Sequence, residues 1–429
     1  MQVMRVRASR NSLDAVPKPV EAASASPRLG YLSGAPRVSL RPEASLGAGR
    51  AHVQGVINAF RTLGWTVHHY IAGDRVPFSW FGNGEGRMES SRLRRLSADW
   101  ARIGLSRWSA RQAWKEVGGH CDWIYERLGA FQALGRPFAR AGIPWIVESN
   151  APLHLEAAVD RRSIAMQGWA RRAEFSVYRE ADVIVTVSNA LKEILTGFPD
   201  VDPDKVLVVP NGVDVTRFNP ALVSSDRFFD GPTIGFVGTL YSWQGVEMLL
   251  ECVAELRRTE GVAWSVVIAG EGPRYLACRE AAARLGLGDD VVRFLGQVPW
   301  VLVPSVIAGV DLGYSGQTRF HGGVMYHSPL KIYEYMAMGK PVLASAYEDA
   351  GRTIVHGNTG YFFAGEDHVS LTSALRDAWV GRASLLAMGH RARDHVVSTC
   401  TWEHRVRTMI PRIREVLAAR RPLQRNPGS

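Results

Sequence analysis

Two spacings of apolar residues alternate along the chain: short continuous runs, and longer stretches in which apolar residues recur every three or four positions. Arg28-Leu-Gly-Tyr-Leu is the first run and reads as a strand. A Gly-containing loop, Ser45-Leu-Gly-Ala-Gly-Arg-Ala, leads into a helix whose Val53, Val56, Ile57 and Phe60 share one face before Gly64 ends the pattern. Trp65-Thr-Val-His-His-Tyr-Ile is the next strand. Further runs follow at Trp123-Ile-Tyr, Trp145-Ile-Val-Glu, Val183-Ile-Val-Thr-Val and Val206-Leu-Val-Val, with helical spacing between them. Runs apolar on both faces and separated by helices predict a parallel sheet covered on both sides.

Asn211-Gly212 marks a turn, the loosely patterned Phe218–Gly231 reads as a linker, and then the pattern restarts. Thr233-Ile-Gly-Phe-Val is a strand, Val246, Leu249, Leu250 and Val253 line one helix face, and Ser265-Val-Val-Ile-Ala is a strand ending at Gly270-Glu-Gly-Pro. The prediction is an α/β chain of two Rossmann-like domains, 28–217 and 218–402, with a loose Ser-, Ala- and Pro-rich tail over 1–27. In such sheets ligands sit at the carboxyl ends of the strands. A last helical stretch, about 403–420, has no sheet of its own.

The length of 429 residues favours more than one core, and 46% hydrophobic against 21% charged residues is the balance of a folded globular chain. No apolar run approaches the roughly 20 residues that cross a bilayer. The opening MQVMRVRASR lacks a following apolar stretch, so a cytoplasmic protein is expected. Cys121, Cys252, Cys278 and Cys400 lie far apart, which predicts reduced thiols and no structural zinc. The net charge of +10 suits an anionic partner, yet no zinc finger, RNP motif or base-reading helix supports nucleic acid. Seven basic residues lie between Arg92 and Lys115, interleaved with Trp100, Trp108 and Trp114. A solvated helical flap is the favoured reading of this stretch, over a membrane-surface helix.

The most informative segment is His327-Ser-Pro-Leu-Lys-Ile-Tyr-Glu-Tyr-Met-Ala-Met-Gly-Lys-Pro. Ser328 suits an N-cap, Pro329 the first helical position, and Gly339 the residue beyond the end. Lys331 then lies in the first turn, where a purely structural helix favours an acid. A cation beside a positive helix terminus points to a bound anion. Glu334, the single acid among Ile332, Tyr333, Tyr335, Met336 and Met338, either grips ribose hydroxyls or is a half-exposed surface group; spacing leaves both open. Gly47-Ala-Gly-Arg and Gly235-Phe-Val-Gly each follow a strand and precede a helix, so each lets backbone approach a diphosphate. Asp200-Val-Asp202 matches a metal-binding D-x-D pattern but sits in a turn-like loop and reads as turn chemistry. No bound metal is expected, and Gly-x-Ser-x-Gly is absent.

These residues resemble the retaining family 4 glycosyltransferases of GT-B fold over roughly residues 28–415. The stretches that carry the resemblance are Gly47–Val53, Val209-Pro-Asn-Gly-Val-Asp214, Gly235-Phe-Val-Gly-Thr-Leu, Ala269-Gly-Glu-Gly-Pro273, Phe294-Leu-Gly-Gln-Val and Ser328–Gly339. The resemblance implies that Glu334 binds ribose and that the base lies near Gly296, Gln297 and Val298. It places the diphosphate on Leu330 and Lys331, with Gly238, Thr239 and Ser328 beside them and Gly47 and Ala48 closing from the other domain. The acceptor side would hold His52, Glu148, Asn150 and His154, with Lys331, Glu148 and Asn150 nearest the chemistry, and the last helix would cross back to the first domain. Three positions depart from the family pattern. Thr239 and Gln244 stand where an Arg and a Lys are usual, and Tyr326 stands where a first Glu is usual. Charge on the leaving group would then rest on Lys331, helped by Arg50 or Arg319. The expected activity is metal- and cofactor-independent transfer of a sugar, with retention, from a nucleotide-diphosphate donor to a small-molecule acceptor such as an antibiotic precursor. The alternatives are a lipid- or polysaccharide-directed enzyme at a membrane, a nucleotide-sugar-binding pseudoenzyme and a nucleotide-sugar epimerase.

Overall fold

The computed structural model describes residues 26–41, 47–76, 91–160, 163–224, 226–320 and 323–420. The expected tail up to residue 25, and Ser45 and Leu46 of the first Gly-containing loop, lie outside the described residues. The chain builds two six-stranded sheets. The first holds β1 (Arg28–Ser33), β2 (Thr66–Ile71), β3 (Trp123–Arg127), β4 (Trp145–Ser149), β5 (Val183–Thr186) and β6 (Val206–Val208) in the order β2-β1-β3-β4-β5-β6. The second holds β7 (Thr233–Val237), β8 (Ser265–Ala269), β9 (Val292–Gly296), β10 (Leu312–Ser315), β11 (Val342–Ser345) and β12 (Gly360–Phe363) in the order β12-β11-β10-β7-β8-β9. All pairings are parallel. β4, β5 and β8 are buried along their whole length, which is why they read as continuous apolar runs.

In each sheet the strand order reverses at its first strand, between β1 and β3 and between β7 and β10. Those reversals are the topological switch points where open α/β sheets bind ligands. Gly47, which opens the Ala48–Thr62 helix, follows β1, and Gly238 follows β7, so both Gly-containing loops sit at a switch point.

The final helix, Trp402–Arg420, starts one residue earlier than expected. Trp402, Val406, Met409, Ile410, Ile413 and Leu417 pack with Leu29, Val53, Val56, Ile57 and Phe60, so its apolar stripe is covered by the first sheet's helix layer. Arg412 donates to the Val208 carbonyl, and Arg420 pairs with Asp202. Contact between the halves is also made by Trp243, Phe320, Met325 and Tyr326, which join the core cluster of the first domain. The basic, tryptophan-bearing stretch is a 26-residue helix, Arg92–Val117, that packs Ser106, Ser109, Ala113 and Val117 inward. It lies in the crossover between β2 and β3, solvated over most of its surface as expected of the helical flap.

Candidate active site

The segment of most interest folds as a helix over Leu330–Ala337. Pro329, not Ser328, stands at the cap position, and no side chain caps the first turn. Ser328 is drawn away instead. Its hydroxyl donates to Asp349 Oδ2 at 2.7 Å and accepts from the Asn211 N–H at 3.0 Å. The oxygen that would accept a helix N–H is already taken by the Asn211 N–H, and the bond to Asp349 orients it there, so the N-cap expectation fails for a tertiary reason. The other end is as expected: Gly339 has φ +67, and Lys340 N–H returns to the Tyr335 carbonyl at 2.9 Å.

Lys331 is buried, and its ammonium donates to Gln244 Oε1 at 2.6 Å. The ammonium also lies over the Phe236 ring, 4.1 Å from its centroid, and 3.3 Å from where a Cβ on Gly238 would sit. Burial lowers its pKa to about 7, against the opposing pull of Glu334. The Lys331 charge thus faces backbone at the carboxyl end of β7. Gly238 has φ +142 and Gly270 φ +146, and a Cβ on Gly270 would meet the Gly238 carbonyl oxygen at 1.9 Å. Gly238 N–H bonds to the Ala269 carbonyl and Gly270 N–H to the Gly296 carbonyl, so the ends of β7, β8 and β9 form one backbone-lined ledge. Thr239 continues that ledge, and Val298 packs beneath it against the cluster holding Val267 and Ala269.

Glu334 lines a cavity of about 60 Å³ between the two halves. Ala51, Gln54 and Leu330 line it too, together with Arg217 and Trp300, which sequence reading missed. The Arg217 guanidinium lies 3.2 Å from the Trp300 ring centroid, and its buried Nε has no protein partner among the described residues. Burial raises the Glu334 carboxyl to about 7, while the Lys331 and Arg217 charges oppose the rise. Arg217 follows the Val209–Asp214 motif by three residues and Trp300 follows Val298 by two, so extending each motif would have found them.

Across the cleft, Glu148 at the end of β4 is buried and fully engaged. It accepts from Tyr125 Oη at 2.8 Å, Arg127 Nη1 at 3.1 Å and Asn150 Nδ2 at 2.6 Å, and His52 Nε2 lies 2.6 Å away. Burial pushes this carboxyl up, but His52, Arg127 and Asn150 outweigh it and bring it down to about 2. Burial lowers the His52 pKa despite the adjacent carboxylate, and its ring meets Trp402 edge-on at 4.7 Å. Tyr125 and Arg127 also went unseen in the sequence, because they belong to the neighbouring strand and only the β3–β4 pairing brings them in.

The other candidates fall elsewhere. His154 Nδ1 is 2.8 Å from Glu174 Oε2, and the ring packs on Phe175, in a buried group separate from Glu148. Arg50 donates to the Arg41 and Leu40 carbonyls, and Arg319 pairs with Glu366 at 2.6 Å, so both guanidinium groups are committed. Tyr326 is buried, stacked on Phe320 at 4.7 Å, and its carbonyl accepts from Ser188 Oγ. Gly47 stands at the cap position of the Ala48–Thr62 helix, whose first turn has no acid. Asp202 accepts from Asp204 N–H, the turn chemistry expected of it, and pairs with Arg420, while Asp200 pairs with Arg179. Among the described residues no group of three or more His, Cys, Asp or Glu could hold a metal, and no helix is long and apolar enough to cross a membrane.

Two parallel sheets facing a cleft, with ligand-binding switch points on either side, make this the GT-B class of fold. The catalytic domain of starch synthase IV from Arabidopsis thaliana, solved with ADP and acarbose, has the same architecture: TM-score 0.67, 14% identity, 92% of this chain and 100% of that one. The chain belongs to the family 4, group 1 glycosyltransferases. Residues 49–217 match the model for Glycosyltransferase Family 4, and residues 231–379 match that for Glycosyl transferases group 1. A D-inositol 3-phosphate glycosyltransferase of Stackebrandtia nassauensis is 27% identical over 54% of this chain and 53% of its own length. A GDP-mannose-dependent alpha-(1-6)-phosphatidylinositol monomannoside mannosyltransferase of Mycolicibacterium smegmatis is 28% identical over 63% of this chain and 75% of its own. The alignment to the first of these curated relatives thus spans about half of that relative's length.

Proposed function

We propose that the chain is a retaining glycosyltransferase that takes a nucleoside-diphosphate sugar in the cleft and passes the sugar to a hydroxyl of the acceptor. The observation that carries the reading is the buried Lys331 ammonium facing the Gly238 ledge at a switch point. A buried cation beside a helix N-terminus, facing glycines that let a ligand approach the backbone closely, is a seat for a diphosphate. Negative charge grows on that diphosphate as the glycosidic bond breaks, so Lys331 stabilises the transition state more than the ground state. Glu334 takes the ribose hydroxyls, with Arg217 and Trp300 toward the base alongside Gly296, Gln297 and Val298. Leu330, Thr239, Gly47 and Ala48 close around the diphosphate.

Glu148, held at about 2, is a poor proton acceptor at neutral pH. Its part is to orient the acceptor with Asn150 and His52, and the departing phosphate oxygen takes the acceptor proton on the same face. The two named relatives carry inositol in their acceptors, which moves the reading from the antibiotic precursor expected above toward a polyol.

A thermal-shift screen of UDP, GDP, ADP and TDP tests the donor site, followed by NMR of the product anomer formed from the matching sugar nucleotide. Stabilisation by one diphosphate and a retained anomer are expected. No stabilisation by any of the four would overturn the reading, and conversion of the donor without acceptor would make the protein an epimerase.

A further inference from the structure

The Arg92–Val117 helix carries a face that the transferase reading leaves unused. Leu93 is 77% exposed, Trp100 56% and Trp108 43%, and Trp169 at the start of the Gln167–Glu180 helix is 54% exposed and meets Trp100 edge-on at 5.7 Å. At 100° per residue, Leu93, Trp100, Arg107, Arg111 and Lys115 fall on one outward stripe, with Trp108 at its margin. Arg171 and Arg172 are exposed beside Trp169. The two acids of the long helix are turned away from this stripe: Asp99 is fully buried, and Glu116 pairs with Arg75. Single exposed apolar residues are ordinary, but large indoles gathered on one face and flanked, among the charged groups of the described residues, by cations are not.

We propose that this face seats the protein on an anionic lipid bilayer. Indole rings favour the boundary between headgroups and acyl chains, and arginine stems lie along apolar surface while their charged ends reach phosphate. A helix of 26 residues is about 39 Å long, which suits an extended surface better than a groove. The face is also built as a rigid unit. Asp99 accepts from Ala165 and Met166 N–H at 2.8 and 2.9 Å, and Arg102 donates to the Ser163 carbonyl at 3.0 Å. These bonds tie the helix to the segment that runs from Glu148 and Asn150 toward Trp169, so the bilayer contact lies on the acceptor half of the molecule.

The full chain is sedimented with vesicles of phosphatidylcholine alone and with vesicles in which part of it is replaced by phosphatidylglycerol. Binding to the mixed vesicles alone is expected, weakening as salt is raised. Arg107→Glu with Arg111→Glu should lower the partition by about tenfold or more, since each basic residue near an anionic surface contributes roughly fivefold. Trp100→Ser with Trp169→Ser should lower it as well, with an unchanged melting temperature because both rings point outward. No binding to anionic vesicles, or binding that neither pair of substitutions changes, overturns the proposal. So does a dimer that dissociates on Trp100→Ser, which would make the face a contact between copies of the chain. The assay uses no nucleotide and no sugar, so its failure and that of the transferase reading are distinguishable.

Discussion

Under the proposed transfer, Lys331 is the side chain on which the charge of the leaving diphosphate rests. Thr239 and Gln244 occupy the places of two usual cations, and Gln244 presents its carbonyl oxygen to the Lys331 ammonium instead of a second charge. Lys331→Ala should therefore depress kcat by about 10²-fold, more than it raises the donor KM, if a single electrostatic donor behaves typically. Steady-state kinetics at saturating and limiting donor separate the two effects, and a near-normal kcat would shift the role to Arg217. The pH dependence is a second check. Burial holds Lys331 at about 7 in the free protein, and a neighbouring diphosphate favours its charged form. Binding above pH 7 then takes up a proton, so nucleoside diphosphate affinity should fall as pH rises, by at most about tenfold per pH unit. Calorimetric titration across that range should show the slope in the wild type and lose it in Lys331→Arg, whose guanidinium stays charged throughout. The same depression has a cost in folding: the unfolded lysine binds its proton up to 10.5, so stability contributed at this site rises with pH from about 7 toward that value.

The Trp402–Arg420 helix is held by close approach as much as by area. A Cβ on Gly55 would meet the Trp402 indole at 2.4 Å, and one on Gly212 would meet Trp402 backbone at 2.8 Å. Gly55→Ala should displace the indole and destabilise the protein by about 1–3 kcal/mol, the usual cost of overpacking. Urea denaturation reads this directly, and an unchanged midpoint would show that the helix is held elsewhere along its stripe. Gly119→Ala, where a Cβ meets nothing within 4 Å, is the control. The strands were legible because burial on both faces leaves continuous apolar runs, as in Val183–Thr186 and Ser265–Ala269. The beginning of the Leu330–Ala337 helix was not legible, because what decides it is a tertiary bond from Ser328 to Asp349, 21 residues away. His154 shows the same limit from the other side. It shares a loop with Asn150, yet Glu174, from a later helix, claims it. The candidate site was readable where its residues lie in one contiguous motif, as Lys331 and Glu334 do. It was unreadable where separate strands or loops contribute single side chains, as Tyr125, Arg127, Arg217 and Trp300 do.

At the scale of the whole molecule the two halves are drawn together across the cleft. Glu348 of the second half accepts from the Asn189 and Ala190 N–H groups at 2.8 and 2.9 Å, and so caps a helix of the first half. Ser188 Oγ donates to the Tyr326 carbonyl, and the Asn211 side chain donates to that of Ser328, at points on either side of that cap. The cavity left beside Glu334 is about 60 Å³, whereas sites for ligands of nucleotide size run from roughly 300 to 1,000 Å³. If a donor enters by parting the halves, the contacts that join them set how often that happens. Hydrogen bonds to a charged acceptor contribute about 1.5–3 kcal/mol, which corresponds to a tenfold or larger change in the ratio of parted to closed molecules. Glu348→Ala should accordingly raise the radius of gyration of the ligand-free protein in small-angle scattering. It should also speed nucleoside diphosphate association in stopped flow, because the competent fraction grows. The dissociation rate should rise too, since the same cap helps hold the halves closed over bound donor. An unchanged radius together with unchanged association would mean that the aromatic contacts of Trp243, Phe320 and Tyr326 hold the cleft without help from Glu348.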